Sequence, residues 1–193
     1  KNQIEYYIAQ GLSIYESHNL AITKSKGAIV GFINSDDSYH SKSTLQKVIK
    51  VFKENEDADF IYGDCNFINE NGKILYKLIA PKKLNYSISK LRLFNISHPC
   101  WFAKREVFEF LGLYNTKYRY VSDMEFILRA IKKKLKFLKV NYVIADFVRH
   151  ESNASSTDAA SREGRELLKS LNGHSLFIRF LNKLFLSAMY LKD

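Results

Sequence analysis

Asn34-Ser35-Asp36-Asp37 sets two carboxylates side by side, directly after the apolar run Ala28-Ile29-Val30-Gly31-Phe32-Ile33. Such a short run of β formers reads as a buried strand of a parallel sheet. In open α/β sheets, ligands bind outside the carboxyl ends of the strands. Like charges at ~4 Å repel by about 4 kcal/mol at an effective dielectric near 20, and a divalent cation offsets that repulsion. Hard oxygen ligands select Mg²⁺ or Mn²⁺. Such an ion can bridge a diphosphate and stabilise charge on it as it leaves. The competing reading is a polar turn in which Asp37 or Ser38 caps the next helix. The two cysteines, Cys65 and Cys100, lie far apart without Cys-x-x-Cys spacing. They read as two reduced thiols, with neither a zinc site nor a disulfide framework.

The elements that must carry this cluster are marked by three Ser-x-x-Glu/Gln patterns. Ser13 to Glu16 forms a capping box and opens a helix over residues 13–25, with Gly27 as its stop. Ser43 to Gln46 is a second box, followed by Leu45, Val48, Ile49 and Phe52 at helical spacing. Ser122-Asp123-Met124-Glu125 is a third, opening a helix with Phe126, Ile127, Ala130 and Ile131 on one face. Between them fall a strand over 58–62 and a hairpin of 65–68 and 73–79 around Asn71-Gly72. A short helix over 105–111 closes at Gly112. Residues 137–148 read as a strand, 151–161 as a polar loop, and the tail from 162 as helical. Strands alternating with capped helices predict an α/β domain, and the hairpin makes its sheet mixed. The expected division is a domain over 1–155 and a helical extension over 156–193.

Three segments in this order resemble the middle of family 2 glycosyltransferases: Ile14-Tyr15-Glu16-Ser17-His18-Asn19, Lys26-Gly27, and Phe32-Ile33-Asn34-Ser35-Asp36-Asp37. In that family a helix of the type I-Y-D-A-M-N precedes a strand ending in L-N-S-D-D or L-D-A-D-D, its version of the DXD motif. The resemblance implies a GT-A (nucleotide-diphospho-sugar transferase) fold, with a mixed, mostly parallel sheet flanked by helices. It implies that Asp37 contacts the metal and that Asp36 helps hold the ribose or the metal shell. It also puts Asn34, Asn19 and Arg149 on the donor side. Gly11-Leu12-Ser13 and Leu20-Ala21 depart from the family's usual residues. The similarity spans about residues 4–155 and matches only the later part of the family domain, so the first nucleotide-binding strands are expected to be missing.

The second half resembles the family's acceptor side: Ile96-Ser97-His98-Pro99-Cys100-Trp101-Phe102, then Gly112-Leu113-Tyr114, then Tyr120-Val121-Ser122-Asp123-Met124-Glu125. This implies that Asp123 is the general base of an inverting transfer, with His98, Ser122 and Glu125 lining the acceptor. A plain helix cap explains the same Ser-Asp-x-Glu pattern, and a satisfied core histidine explains His98 equally well. Arg149 or His150 would meet the diphosphate when the loop closes, or belong to an ordinary solvated loop.

The implied activity is transfer of a sugar from a nucleotide-sugar, UDP-linked by expectation, to a glycan or lipid-linked acceptor in bacterial surface polysaccharide synthesis. The alternative is an inactive remnant serving as a partner- or membrane-binding module. The net charge of +10 favours anionic partners, but no nucleic-acid-binding motif accompanies it. The segment 176–186 is strongly apolar, with Arg179 and Lys183 four apart. It is too short and too charged to span a bilayer. It either lies in the membrane interface or docks on protein. The expected location is the cytoplasm, with peripheral contact at the inner membrane face.

Overall fold

The computed structural model describes residues 4–86, 96–150, 153 and 157–172. The first capping box forms as expected and opens α1 (Ile14–Lys24). Glu16 Oε2 accepts the Ser13 N–H at 2.8 Å, and Ser13 Oγ accepts the Glu16 N–H at 3.4 Å. The helix ends in extended backbone at Ser25, before Gly27 is reached. Then come β1 (Ile29–Gly31), β2 (Ser38–Tyr39) and α2 (Thr44–Glu54). The start of α2 falls where predicted, without a capping box. Ser43 makes no cap bond, and Thr44 Oγ1 instead accepts the Ser41 N–H at 3.2 Å. The buried face of α2 is Thr44, Val48 and Phe52, while Leu45 and Ile49 of the expected face are exposed.

The two strand pieces expected over 58–62 and 65–68 are one strand, β3 (Phe60–Ile68). Gly63 joins them across a register shift. A Cβ there would stand 2.9 Å from Tyr142 O and 2.9 Å from Val140 Cγ2, so only glycine lets β3 approach its neighbour. The hairpin to β4 (Ile74–Leu78) turns at Gly72, φ +76°. Asn69 Oδ1 accepts the N–H groups of Asn71 and Lys73 across that turn. A 3₁₀ turn (His98–Cys100), β5 (Trp101–Lys104), α3 (Arg105–Leu111), α4 (Ser122–Lys132), β6 (Phe137–Val148) and α5 (Asp158–Asn172) complete the order. Gly112 closes α3 at φ +81°, and the predicted apolar face of α4 is buried throughout. Helix α5 begins inside the stretch read as a loop. The segment 176–186 lies outside the described residues.

The sheet order is β1-β5-β3-β6-β2, with β4 on the free end of β3. Among the described residues only β3 and β6 run parallel; the β1–β5, β3–β5, β3–β4 and β2–β6 pairings are antiparallel. The sheet is mixed, as expected, but antiparallel pairings outnumber the parallel one among the described residues. Strand β1, read as parallel, is antiparallel to β5. Burial dictates an apolar run; the direction of the neighbour leaves no mark on it. On one face, Phe60, Tyr62 and Trp101 pack under Phe126 of α4. On the other, Ile61, Cys65 and Ile144 pack under Val48 and Phe52 of α2.

Candidate active site

Beyond β1 the chain closes a tight turn. Asp37 N–H bonds Asn34 O at 3.2 Å, and Asn34 Nδ2 donates to Asp37 Oδ2 at 2.7 Å. Strand β2 then pairs Ser38 with Asp146, which brings the turn beside the carboxyl end of β6. There Asp37 Oδ1 accepts the Val148 N–H at 3.0 Å. Asp37 therefore ties two chain segments together and does not cap α2. Asp36 is exposed, with its Oδ2 2.8 Å from His150 Nε2. Burial holds the Asp37 carboxyl above the usual carboxylate range; Asp36 adds to this, while Val148, Asn34 and His150 oppose it. Of the two residues expected at this loop, His150 meets the acidic pair and Arg149 does not: its Nη1 donates to Tyr76 Oη at 3.0 Å. Among the described residues no group of three or more His, Cys, Asp or Glu is placed to hold a metal. The donors present, two neighbouring carboxylates of which one is exposed, have the chemistry to hold a hard cation that would complete its shell from other oxygen ligands.

Asp123 lies in the first turn of α4, partly buried. Tyr15 Oη donates to its Oδ1 at 2.7 Å. The other two residues of this helix expected on the acceptor side point elsewhere. Ser122 is fully buried and its Oγ donates to Asn115 O at 2.9 Å. Glu125 pairs with Arg129 Nε at 2.9 Å, and Arg129 also bonds Leu111 O and Leu113 O. Burial raises the Glu125 carboxyl against the pull of that arginine. Two residues apart on a helix, Asp123 and Glu125 face opposite sides. Asn19, expected on the donor side, spends its amide on the Tyr114 backbone: Oδ1 accepts the N–H and Nδ2 donates to the carbonyl, both at 2.9 Å.

A wall of rings runs from the acidic turn to Asp123. Phe32, two residues before Asn34, stacks on His98 at 5.2 Å between centroids and meets His18 at 4.4 Å. His98 Nε2 stands 3.0 Å from Tyr114 Oη, and Tyr15 packs on Tyr114 at 5.2 Å. Burial keeps both histidines toward the neutral form: His18, with His98 nearby adding to the effect, is held down to about 3, and His98 is held below its usual value against the pull of Asp123. The family model for glycosyl transferase family 2 matches residues 7–112, more than half of the 193-residue chain. The chain belongs to that family.

Its relatives agree with this family 2 assignment. A "PGL/p-HBAD biosynthesis glycosyltransferase" of Mycobacterium bovis is 26% identical over 131 residues, covering 68% of this chain and 48% of that protein. The E. coli enzyme "UDP-Glc:alpha-D-GlcNAc-diphosphoundecaprenol beta-1,3-glucosyltransferase WfgD" is 30% identical over 71 residues, 37% of this chain and 27% of its own length. The chain spans about half the length of the mycobacterial relative and 27% of the E. coli one. A solved structure of S. aureus TarS (1–349) superposes with a TM-score of 0.54 at 14% identity, over 70% of this chain and 40% of that one, which establishes the GT-A-like α/β fold. The family 2 match includes the acidic turn and ends before Asp123.

Two clusters at the site have no signature in local spacing. Asp146 on β6 holds His40 Nδ1 at 3.0 Å and accepts Asn66 Nδ2 at 2.8 Å, joining residues up to 106 apart in sequence. Glu163 on α5 accepts the backbone N–H groups of Arg119, Tyr120 and Val121 at 2.7, 2.6 and 3.0 Å, immediately before α4. Only the cross-strand pairing of Asn66 with Asp146 or the docking of α5 reveals them.

Proposed function

We propose that this family 2 chain carries the diphosphate and acceptor sides of an inverting transfer from a nucleotide-sugar, with UDP-sugars the first donors to test. The observation that carries the proposal is the continuity of one wall. The Asp36–Asp37 turn follows the short segment just beyond β1 that bears Phe32, and Phe32, His98, Tyr114 and Tyr15 lead from there to Asp123. A donor diphosphate at the turn and an acceptor hydroxyl at Asp123 would then share one surface.

Asp37, anchored to Val148, and the exposed Asp36 would hold a divalent cation against the diphosphate. Bound there, Mg²⁺ or Mn²⁺ supplies charge stabilisation for the departing diphosphate. His150 would leave Asp36 to the cation and meet a phosphate oxygen. Asp123 takes the proton of the acceptor hydroxyl, whose oxygen attacks the anomeric carbon from the face opposite the diphosphate, so configuration inverts. A base so placed is worth roughly 10²–10⁴-fold in rate. The neutral rings of His18 and His98 suit an uncharged sugar hydroxyl rather than an acidic acceptor. The acceptor class favoured is a glycan or lipid-linked sugar, the kind named for the E. coli relative, met at the cytoplasmic face of the membrane.

The test is nucleotide release by the full-length protein from a panel of UDP-, GDP- and dTDP-hexoses with and without Mn²⁺, beside Asp37→Ala and Asp123→Asn. Metal-dependent turnover lost in both variants is the expected result. Turnover that survives both substitutions sinks the site assignment, and silence with every donor shifts the chain to a binding role.

A further inference from the structure

We propose that Tyr15 is a positioning residue for Asp123: its hydroxyl fixes one carboxylate oxygen and leaves the other for the acceptor. This rests on the assignment of Asp123 as general base and extends it. Tyr15 is only 5% exposed, on the first turn of α1, and is wedged against Tyr114, His18 and His98 with ring centroids 5.2, 5.8 and 6.5 Å away. Its hydroxyl oxygen is 2.7 Å from Asp123 Oδ1 and 3.1 Å from the carbonyl oxygen of Tyr120. Among the described residues Asp123 Oδ2 has no hydrogen-bond partner.

A hydroxyl has one proton to give and two possible acceptors here. While Asp123 is ionised the proton lies toward Oδ1, the shorter and charged partner. This stops the carboxylate from rotating and presents Oδ2. In the transfer step the acceptor hydroxyl gives its proton to Oδ2 as its oxygen bonds to the anomeric carbon. The bond from that carbon to the diphosphate oxygen breaks, and its electron pair leaves with the diphosphate. Asp123 is then neutral and Oδ1 accepts more weakly. The Tyr120 carbonyl now offers the Tyr15 proton a second partner at 3.1 Å. The phenol is thus paired in both protonation states of Asp123, and no buried donor is stranded. Tyr15 does not take the proton itself. Burial first, and the neighbouring Asp123 charge second, push its phenol well above its ordinary value.

Tyr15→Phe keeps the ring and removes the hydroxyl. The experiment measures kcat, donor and acceptor KM, and the pH dependence of kcat/KM for the full-length wild type and for Tyr15→Phe. The donor is the hexose nucleotide with the highest turnover among UDP-, GDP- and dTDP-sugars, and Asp123→Asn runs in parallel. In Tyr15→Phe, kcat should fall roughly 10- to 100-fold, with donor KM within about two-fold of wild type because the donor side is untouched. The acid limb of kcat/KM should move to higher pH, since a hydrogen bond favouring the ionised carboxylate is gone. A lower kcat on an unmoved pH profile would assign Tyr15 to packing alone and overturn the proposal. Wild-type behaviour of Tyr15→Phe beside an inactive Asp123→Asn overturns it too, while leaving the base assignment intact. Full activity in both variants overturns the base assignment itself.

Discussion

His18 shows at a single residue how the ring wall sets a pH limit on the fold. Its Nδ1 is buried without a hydrogen-bond partner among the described residues, and burial followed by the nearby His98 lowers it from 6.5 to about 3. The folded state therefore holds His18 neutral where the unfolded chain protonates it. Its contribution is fully present above pH 6.5 and is lost as pH falls from 6.5 toward about 3. The loss grows by up to about 1.4 kcal/mol per pH unit. Urea unfolding from pH 7.5 to 4.5 should show a shallower acid-side decline in His18→Phe than in wild type; equal slopes would show that His18 does not supply the dependence. The acidic turn is legible in the sequence because Asn34-Ser35-Asp36-Asp37 is contiguous and follows an apolar run. The partners are not: Tyr15 and Asp123 lie 108 residues apart, and Asp36 and His150 lie 114 apart. Nothing in either local pattern states that α1 will dock on the start of α4.

Among the elements, the junction of α4 and α5 shows how tertiary contact displaces a local signal. Ser122 and Glu125 carry the form of a capping box, yet neither caps. Ser122 is drawn to Asn115 and Glu125 to Arg129, an i,i+4 pair that also braces the end of α3. The free N–H groups ahead of α4 go instead to Glu163, with Leu167 packed on Val121 and Leu128 to hold the two helices together. At Ser13 no such competitor stands among the described residues, and there the same local pattern forms. Because one carboxylate serves three donors, Glu163→Ala should destabilise the protein by about 2 kcal/mol, read as a lower urea midpoint. Hydrogen exchange should quicken at the amides of Tyr120 and Val121 in particular. A midpoint unchanged to within ~0.5 kcal/mol would mean that α5 docks through its apolar contacts alone. The bounds of β6 were legible to the residue, because twelve residues of β-forming pattern lie between a basic turn and a polar loop. Strand β1 was legible as a strand but not in its direction, which β5 imposes from more than seventy residues away.

At the scale of the whole molecule, the proposed diphosphate site at the acidic turn would link ligand binding to the fold. Asp37 bridges the chain leaving β1, at one edge of the sheet, to the end of β6, beyond β3 and β5 in the strand order. A diphosphate and cation bound at that turn would stabilise the folded state by mass action, because the unfolded chain scatters the same groups. At a concentration of about one hundred times Kd this is ~2.7 kcal/mol, or roughly 5–10 °C in Tm for a domain of this size. UDP with Mn²⁺ should therefore raise the Tm of the full-length protein, and UDP or Mn²⁺ alone should raise it less. Asp37→Asn is the informative variant. Asparagine keeps an oxygen for the Val148 N–H, and Asn34 can turn its amide to match the new side chain, so the turn survives while the charge that holds a cation is halved. The Tm shift should largely vanish in Asp37→Asn and persist in Asp123→Asn, whose change lies at the far end of the ring wall. A shift of equal size in Asp37→Asn would remove the turn from nucleotide binding. A shift lost in both variants would mean that donor and acceptor sides are energetically one site rather than two ends of a shared wall.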